Sequence, residues 1–79
     1  ALEQARLSLA HCMTILRSAG SGADKVLLAV VYMTDLSAKE AVNQAFAETF
    51  GNSPPARNLV EVSDIGENTI IEVAVTALA

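Results

Sequence analysis

A sequence of 79 residues suffices for one small domain, which we expect to span residues 1–79 with a thin core of its own. Hydrophobic residues make up 52% of the chain, more apolar surface than so small a body can easily hide, which predicts oligomerisation or a missing part. The formal net charge of −4 disfavours nucleic-acid binding, because a phosphate backbone would be repelled, and no apolar run approaches the roughly 18 residues that span a bilayer. Because a single cysteine excludes an internal disulfide, a reducing compartment is favoured and we expect a cytoplasmic protein.

Apolar residues at alternating steps of three and four predict a first helix over residues 2–19. Its apolar stripe consists of Leu2, Ala5, Leu9, Cys12, Leu16 and Ala19. The glycines at 20 and 22 end it, because glycine tolerates the left-handed backbone of a helix stop. Residues 26–33 are then almost continuously apolar, which is typical of a strand in the middle of a sheet.

Ser37 and Glu40 form a capping-box pattern that predicts a second helix beginning near Ala38 and ending at Gly51. Its predicted buried residues are Ala41, Val42, Ala45, Phe46, Thr49 and Phe50. Two strands follow, over residues 57–62 and 69–78, separated by a turn at residues 64–68. The order helix, strand, helix, strand, strand predicts an α+β fold with both helices on one face of a mixed sheet. Since the chain opens directly into a helix, we expect that one or two strands are missing from the sheet.

Two ionisable residues lie where burial is expected. Arg57 follows the proline pair Pro54 and Pro55, whose rings stiffen the backbone just before it. Glu72 stands in an apolar strand between Ile71 and Val73, where a lone carboxylate is costly to bury without a partner. One interpretation is a salt bridge between adjacent strands, which would stabilise little and do no chemistry. The other is a site in which Arg57 binds a carboxylate and Glu72, its pKa raised by apolar surroundings, acts as a base or positions a water.

The other polar candidates have simpler explanations. His11 is expected on the solvated side of the first helix, Cys12 as a small apolar helix residue, and Tyr32 at the rim of the central strand. Asn43 is a poor helix former inside the second helix, where either a specific contact or a solvated position is possible. No serine has a nearby base, and no phosphate loop or zinc-ligand spacing occurs, so we expect neither a cofactor nor a metal.

Four segments carry a resemblance to a known family: "TDL", "AVNQAFAETFG", "PPARNLVEV" and "IIEVAV". Together they resemble the C-terminal part of the Rid family, also called YjgF or L-PSP proteins. The resemblance implies a chorismate-mutase-like α+β fold that assembles as a homotrimer, with sites in the clefts between subunits. For the deaminase branch it also implies cofactor-free hydrolysis of reactive enamines and imines, such as 2-aminoacrylate, to 2-oxo acids and ammonia.

The same resemblance assigns roles to individual residues. Arg57 would hold the substrate carboxylate, Glu72 would serve the attacking water, and Asn43 would line the pocket. Leu59 stands where many deaminases have a cysteine, although its backbone N–H could still donate. The N-terminal strands of the family, with a "PYSQA"-like motif, have no counterpart here. The alternative is therefore a small-carboxylate-binding or assembly module of the same fold without catalysis, whereas the ribonuclease activity attributed to some members fits poorly with the acidic charge.

Overall fold

Two helices and three strands form the part of the chain that the computed structural model describes, residues 1–66 and 69–79. In chain order they are helix α1 (Leu2–Ser18), strand β1 (Val26–Met33), helix α2 (Lys39–Phe50), strand β2 (Ala56–Glu61) and strand β3 (Ile71–Ala77). Short 3-10 helices at Ala23–Lys25 and Leu36–Ala38 precede β1 and α2. The α+β prediction and the order of elements are confirmed, and the bounds of β1 agree with the predicted range.

The sheet is mixed, with the strand order β2-β1-β3. β1 runs parallel to β2 and antiparallel to β3, so the long apolar strand is the central one, as predicted. Arg57 of β2 lies opposite Ala29 of β1, and Glu72 of β3 lies opposite Tyr32. This register fixes which face of the sheet each candidate side chain occupies.

Both helices pack on one face of the sheet and enclose the core. Its buried members are Ala5, Leu9 and Met13 of α1; Val26, Ala29, Val31 and Met33 of β1; Ala38; Val42, Ala45, Phe46 and Phe50 of α2; and Ile71 of β3. Because side chains alternate along a strand, Leu28, Val30 and Tyr32 point to the opposite face, where they remain half-buried. That opposite face, called the open face below, therefore exposes apolar surface in this chain.

The start of α2 differs from the prediction. Asp35, not Ser37, supplies the side-chain acceptor, since its Oδ1 accepts a hydrogen bond of 2.9 Å from the Ser37 backbone N–H. This bond lowers the pKa of the Asp35 carboxyl. The 3-10 turn Leu36–Ala38 intervenes, and α2 begins only at Lys39. The capping-box prediction is wrong because an aspartate two residues earlier is the better placed acceptor.

The ends of the remaining elements are close to those predicted. α2 ends before Gly51, whose φ of 58° lies in the region that glycine adopts without strain. β3 begins at Ile71, two residues later than expected. Of the predicted turn at residues 64–68, Glu67 and Asn68 lie outside the described residues. Among the helices described, none combines the length and the apolar character needed to cross a bilayer.

Candidate functional site

Arg57 is held from α2 by two side chains. It lies one residue into β2 and points to the helix-covered face, as its pairing with the buried Ala29 requires. Its Nη2 donates a hydrogen bond of 2.7 Å to Oδ1 of Asn43. Its Cζ lies 5.0 Å from the centroid of the Phe46 ring, within the range of a cation–π contact. Arg57 and Asn43, both predicted site residues, are therefore brought together.

The charge of Arg57 has no carboxylate partner among the described residues. Ion pairs in that part of the chain involve Arg6 instead, with Glu3 at 3.6 Å and Glu48 at 2.7 Å. Asn43 is a neutral acceptor and takes only one of the five guanidinium N–H groups. Arg57 is thus fixed in position and keeps both its net charge and most of its donors.

A pocket of about 250 Å³ opens beside this guanidinium. It is lined by Asn43, Phe46, Ala47, Gly51, Pro54 and Arg57. One cation, one amide and several apolar walls are the elements of a small-anion site, because the apolar walls lower the local dielectric and strengthen the charge-assisted hydrogen bond. The pocket suits a carboxylate with a short apolar substituent.

Glu72 lies in a different environment from the one predicted. Its side chain is exposed and points to the open face, where it lies opposite Tyr32. It also borders a wider groove of about 580 Å³ between α1 and β3, together with Ser8, His11, Cys12 and Val73. The predicted burial of Glu72 is wrong for this chain, because Ile71 and Val73 face the helices while Glu72 faces the other way.

Arg57 and Glu72 do not meet within one chain. β1 separates their strands, so their backbones are two strand spacings apart, about 9.6 Å, in addition to their offset along the strands. Their side chains also leave the sheet on opposite faces. Of the two interpretations of this pair, the salt bridge between adjacent strands is therefore excluded within one chain.

The side chain and the backbone N–H of Leu59 lie in different environments. Its side chain is half-buried on the helix-covered face, opposite Val31, and packs against the core. The backbone N–H of Val62 donates a hydrogen bond of 2.8 Å to the carbonyl of Met33. This bond shows which backbone N–H groups of β2 point towards β1 and which point away from it. By that alternation the Leu59 N–H points away from β1 to the free edge of β2, and a free N–H on the strand that carries Arg57 is a candidate anion donor.

The remaining candidates behave as simple structural residues. His11 is exposed, as expected. Cys12 is half-buried, its Sγ lies 3.6 Å from the Val73 carbonyl, and burial raises the pKa of its thiol, which makes it less reactive. No group of three or more metal-ligating side chains occurs within residues 1–66 and 69–79.

Phe46 is a site residue that the sequence interpretation missed. It was predicted only as a member of the buried stripe of α2, and it is buried. The available signal was its spacing of three from Asn43, which places both side chains on the same face of a helix. Any residue that contacts Asn43 from the sheet therefore also comes close to Phe46.

The family model and the curated relatives that match this chain point to the same protein family. The model of the family described as Endoribonuclease L-PSP matches residues 1–79. A RutC family protein of Pyrococcus horikoshii is 36% identical over 75 residues, which are 95% of this chain and 60% of that protein. The RutC family protein UK114 of Drosophila melanogaster is 33% identical over 76 residues, 96% of this chain and 55% of that protein. The chain spans little more than half the length of these curated relatives.

Solved structures agree with this family. A protein from Entamoeba histolytica described as a putative endoribonuclease L-PSP has a TM-score of 0.93 at 28% identity, covering 98% of this chain and 62% of its own. A protein from Mycobacterium tuberculosis described as a member of the YjgF/YER057c/UK114 family has a TM-score of 0.89 at 26% identity, covering 95% and 64%. These scores confirm the fold and the topology.

Proposed function

Because the chain belongs to the L-PSP family, which includes the proteins called RutC and YjgF/YER057c/UK114, we propose that it contributes to a Rid-type enamine and imine deaminase. The proposed reaction is the cofactor-free hydrolysis of 2-aminoacrylate-type intermediates to 2-oxo acids and ammonia. The proposed site is the pocket beside Arg57, completed by Glu72 of a second copy. One observation carries the proposal: Arg57 is held by Asn43 and Phe46, with no carboxylate partner among the described residues.

The proposed binding step uses the free donors of Arg57. A guanidinium presents a planar fork of N–H groups that matches a carboxylate in bidentate geometry. Asn43 fixes the orientation of that fork without neutralising it. The outward N–H of Leu59 supplies a further donor on the same strand. Substrates of this class therefore bind through their carboxylate, with the short carbon chain against the apolar walls.

The proposed chemical step is the addition of water to a C=N bond. The enamine tautomerises to the imine, Glu72 takes a proton from a water as its oxygen attacks the imine carbon, and the nitrogen gains a proton. The resulting carbinolamine collapses: the hydroxyl proton is transferred to the nitrogen, directly or through Glu72, the C–N bond breaks, ammonia leaves, and the carbonyl forms. Atoms balance with one water consumed for each ammonia released, and no electrons are transferred.

The separation of Arg57 and Glu72 supports a site between subunits. A single chain offers the carboxylate site on one face of the sheet and the proposed base on the other. A cyclic assembly in which the open face of one copy packs near β2 of the next brings the two together. The apolar residues of the open face favour such packing. A homotrimer is accordingly part of the proposal, and a monomeric mass by light scattering at micromolar concentration would contradict it.

The first experiment measures imine hydrolysis directly. An amino-acid oxidase generates imines in place, semicarbazide traps those that survive, and the wild-type chain is compared with Arg57→Ala and with no protein. We expect faster imine loss with the wild type only. Equal acceleration by the Arg57→Ala variant would contradict the role of Arg57.

A complementation experiment tests the division between subunits. Arg57→Ala and Glu72→Ala chains are each expected to be inactive, but their co-assembly restores sites that draw Arg57 from one copy and Glu72 from another. In randomly mixed trimers about a quarter of wild-type activity should return, because about three quarters of the assemblies carry one intact site in three. No recovery in mixtures with demonstrated subunit exchange would contradict a shared site.

A second candidate function is a carboxylate-binding or assembly module without catalysis. The observation that favours it is that the Arg57 pocket is formed by one chain, whereas Glu72 lies elsewhere. Calorimetry with 2-oxobutanoate distinguishes the two candidates: binding together with imine turnover supports the deaminase, and binding without turnover supports the module.

Ribonuclease activity is the least favoured of the functions suggested by the names of relatives. Only five of the residues are Lys or Arg, against nine Asp and Glu, and Arg6 is paired with Glu48. A phosphate backbone needs a cluster of free cations. RNA cleavage that persists through stringent repurification would contradict this exclusion.

A further inference from the structure

We infer that Phe46 is a positioning residue for Arg57: its ring holds the guanidinium in the orientation that receives a substrate carboxylate. This inference rests on the proposed function, and it assigns to Phe46 a role in anion binding rather than in the core alone. The observation behind it is the distance of 5.0 Å between Cζ of Arg57 and the centroid of the Phe46 ring.

The Phe46 ring is held in place by burial in the core. It is 5% exposed and belongs to the core cluster, which is closely packed. A ring fixed in this way is a rigid platform, in contrast to a surface aromatic. The contact between the Phe46 ring and the partly exposed Arg57 therefore limits the motion of the guanidinium, because the ring is already held by the core.

The ring and the amide of Asn43 restrict different motions of Arg57. The hydrogen bond to Asn43 fixes the position of one nitrogen, Nη2, but allows the guanidinium plane to rotate about that bond. The ring contact adds a second point and opposes this rotation. Asn43 and Phe46 are three residues apart on α2, so a single helix face provides both contacts.

An aromatic ring is suited to this role because it attracts the cation without using its donors. The Arg57 Cζ lies over the Phe46 ring, and a ring face accepts no strong hydrogen bond, so this contact leaves the guanidinium N–H groups available for a ligand. A carboxylate at the position of Phe46 would hold the arginine equally well but would neutralise it and compete with the substrate. Phe46 thus orients Arg57 and preserves its affinity for an anion.

The test compares three variants of the full chain. Phe46→Leu keeps a buried apolar side chain and removes the ring. Phe46→Tyr keeps the ring as a conservative replacement. Phe50→Leu is the matched control, since it removes the neighbouring buried ring, which is not among the residues lining the Arg57 pocket. Thermal unfolding of each variant shows whether the two leucine variants lose comparable stability.

Two measurements are made on each variant. The order of the Arg57 Nε–Hε bond, from ¹⁵N relaxation without ligand, reports the mobility of the guanidinium directly. Calorimetry with 2-oxobutanoate reports its affinity for a small carboxylate. In Phe46→Leu we expect lower order of Arg57 and an affinity about fivefold to thirtyfold weaker, which corresponds to about 1–2 kcal/mol. If the chain turns over imines, KM should rise by a similar factor while kcat changes little.

The controls decide between positioning and general destabilisation. Phe46→Tyr and Phe50→Leu should both keep Arg57 ordered and the affinity within about twofold of the wild type. Unchanged order of Arg57 in Phe46→Leu, or an equal loss of order in Phe50→Leu, would overturn the inference. Failure of the proposed function has a different signature, a wild-type chain that neither binds 2-oxobutanoate nor consumes imines, and the relaxation comparison then decides the role of Phe46 alone.

Discussion

The two faces of the sheet differ in the contacts that this chain provides to the candidate site residue on each of them. On the side covered by helices, Arg57 has a hydrogen-bond partner, an aromatic neighbour and a pocket, all supplied by the same chain. On the other side, Glu72 is exposed beside the half-buried apolar residues of the open face. The contacts of Arg57 are formed within this chain, whereas the side chain of Glu72 is exposed to solvent. Under the proposed function, binding belongs to the first region and catalysis to the second.

The largest expected effect comes from removing the base while keeping the binding region. Glu72→Gln retains the shape of the side chain and loses its ability to accept a proton. We expect kcat for imine hydrolysis to fall by about 10²–10⁴-fold, the usual contribution of a general base. Affinity for 2-oxobutanoate should remain close to that of the wild type, because Arg57 is untouched. A Glu72→Gln chain with full activity would contradict the assignment of catalysis to this region.

The next effect concerns the packing of α1 against the helix-covered face of β3, the strand that carries Glu72. Leu9 is 1% exposed and lies in the core, whereas Leu7 on the same helix is 54% exposed. Leu9→Ala should destabilise the protein by about 2–5 kcal/mol through lost burial and a residual cavity. Leu7→Ala should change the free energy of unfolding by less than about 0.5 kcal/mol. Denaturant unfolding of both variants checks this, and similar losses in the two would contradict the predicted packing of α1.

A smaller effect is expected from altering the cation in the binding region. Arg57→Lys keeps the charge but loses the planar fork and its bidentate geometry. We expect the affinity for 2-oxobutanoate to fall by about tenfold to hundredfold, the range expected when a hydrogen bond to a charged group is lost. The effect should appear in KM more than in kcat, the reverse of Glu72→Gln. Calorimetry and initial rates on the same preparation test whether binding and catalysis separate in this way.

Helices and strands were predicted from the sequence more accurately than the contacts between them. β1 was located correctly because an uninterrupted apolar run has one simple explanation, and the two helices followed from stripes with a helical period. The start of α2 was misjudged because Asp35 and Ser37 are both good capping residues, and their choice depends on local geometry. The composition also indicated surplus apolar surface, which the structure has both in exposed residues such as Leu7 and Ile15 of α1 and in the half-buried residues of the open face.

The order of the strands in the sheet could not be predicted from hydrophobic periodicity. The hydrophobic pattern does not state which strand lies next to which, so β2 and β3 were treated as possible neighbours although β1 separates them. Glu72 seemed buried because its flanking residues are apolar, but alternation places those neighbours on the other face. Phe46 was recognised as core and not as a partner of Arg57, since a contact between α2 and β2 depends on tertiary packing.

The smallest effect concerns the ion pair that joins α1 to α2 on the helix-covered side of the sheet. Arg6 donates from Nε and Nη2 to the two carboxylate oxygens of Glu48, at 2.8 and 2.7 Å. The Arg6 hydrogen bonds are the main cause of the lowered pKa of Glu48, whose ordinary value is 4.5. A group whose pKa is lower in the folded state stabilises the fold above its unfolded pKa and loses that contribution as the pH falls through its folded pKa.

Glu48→Gln should therefore lower Tm slightly at pH 7, and the difference from wild type should vanish at a pH below the folded-state pKa of Glu48. Because the pair is exposed, added salt should shrink the difference as well. Glu3→Gln is the matched control: Glu3 approaches Arg6 only to 3.6 Å and is 82% exposed, so its removal should have a smaller effect. A Tm difference for Glu48→Gln that persists unchanged at low pH would contradict this prediction. The destabilisation would then come from altered side-chain packing between α1 and α2 and not from loss of the ion pair.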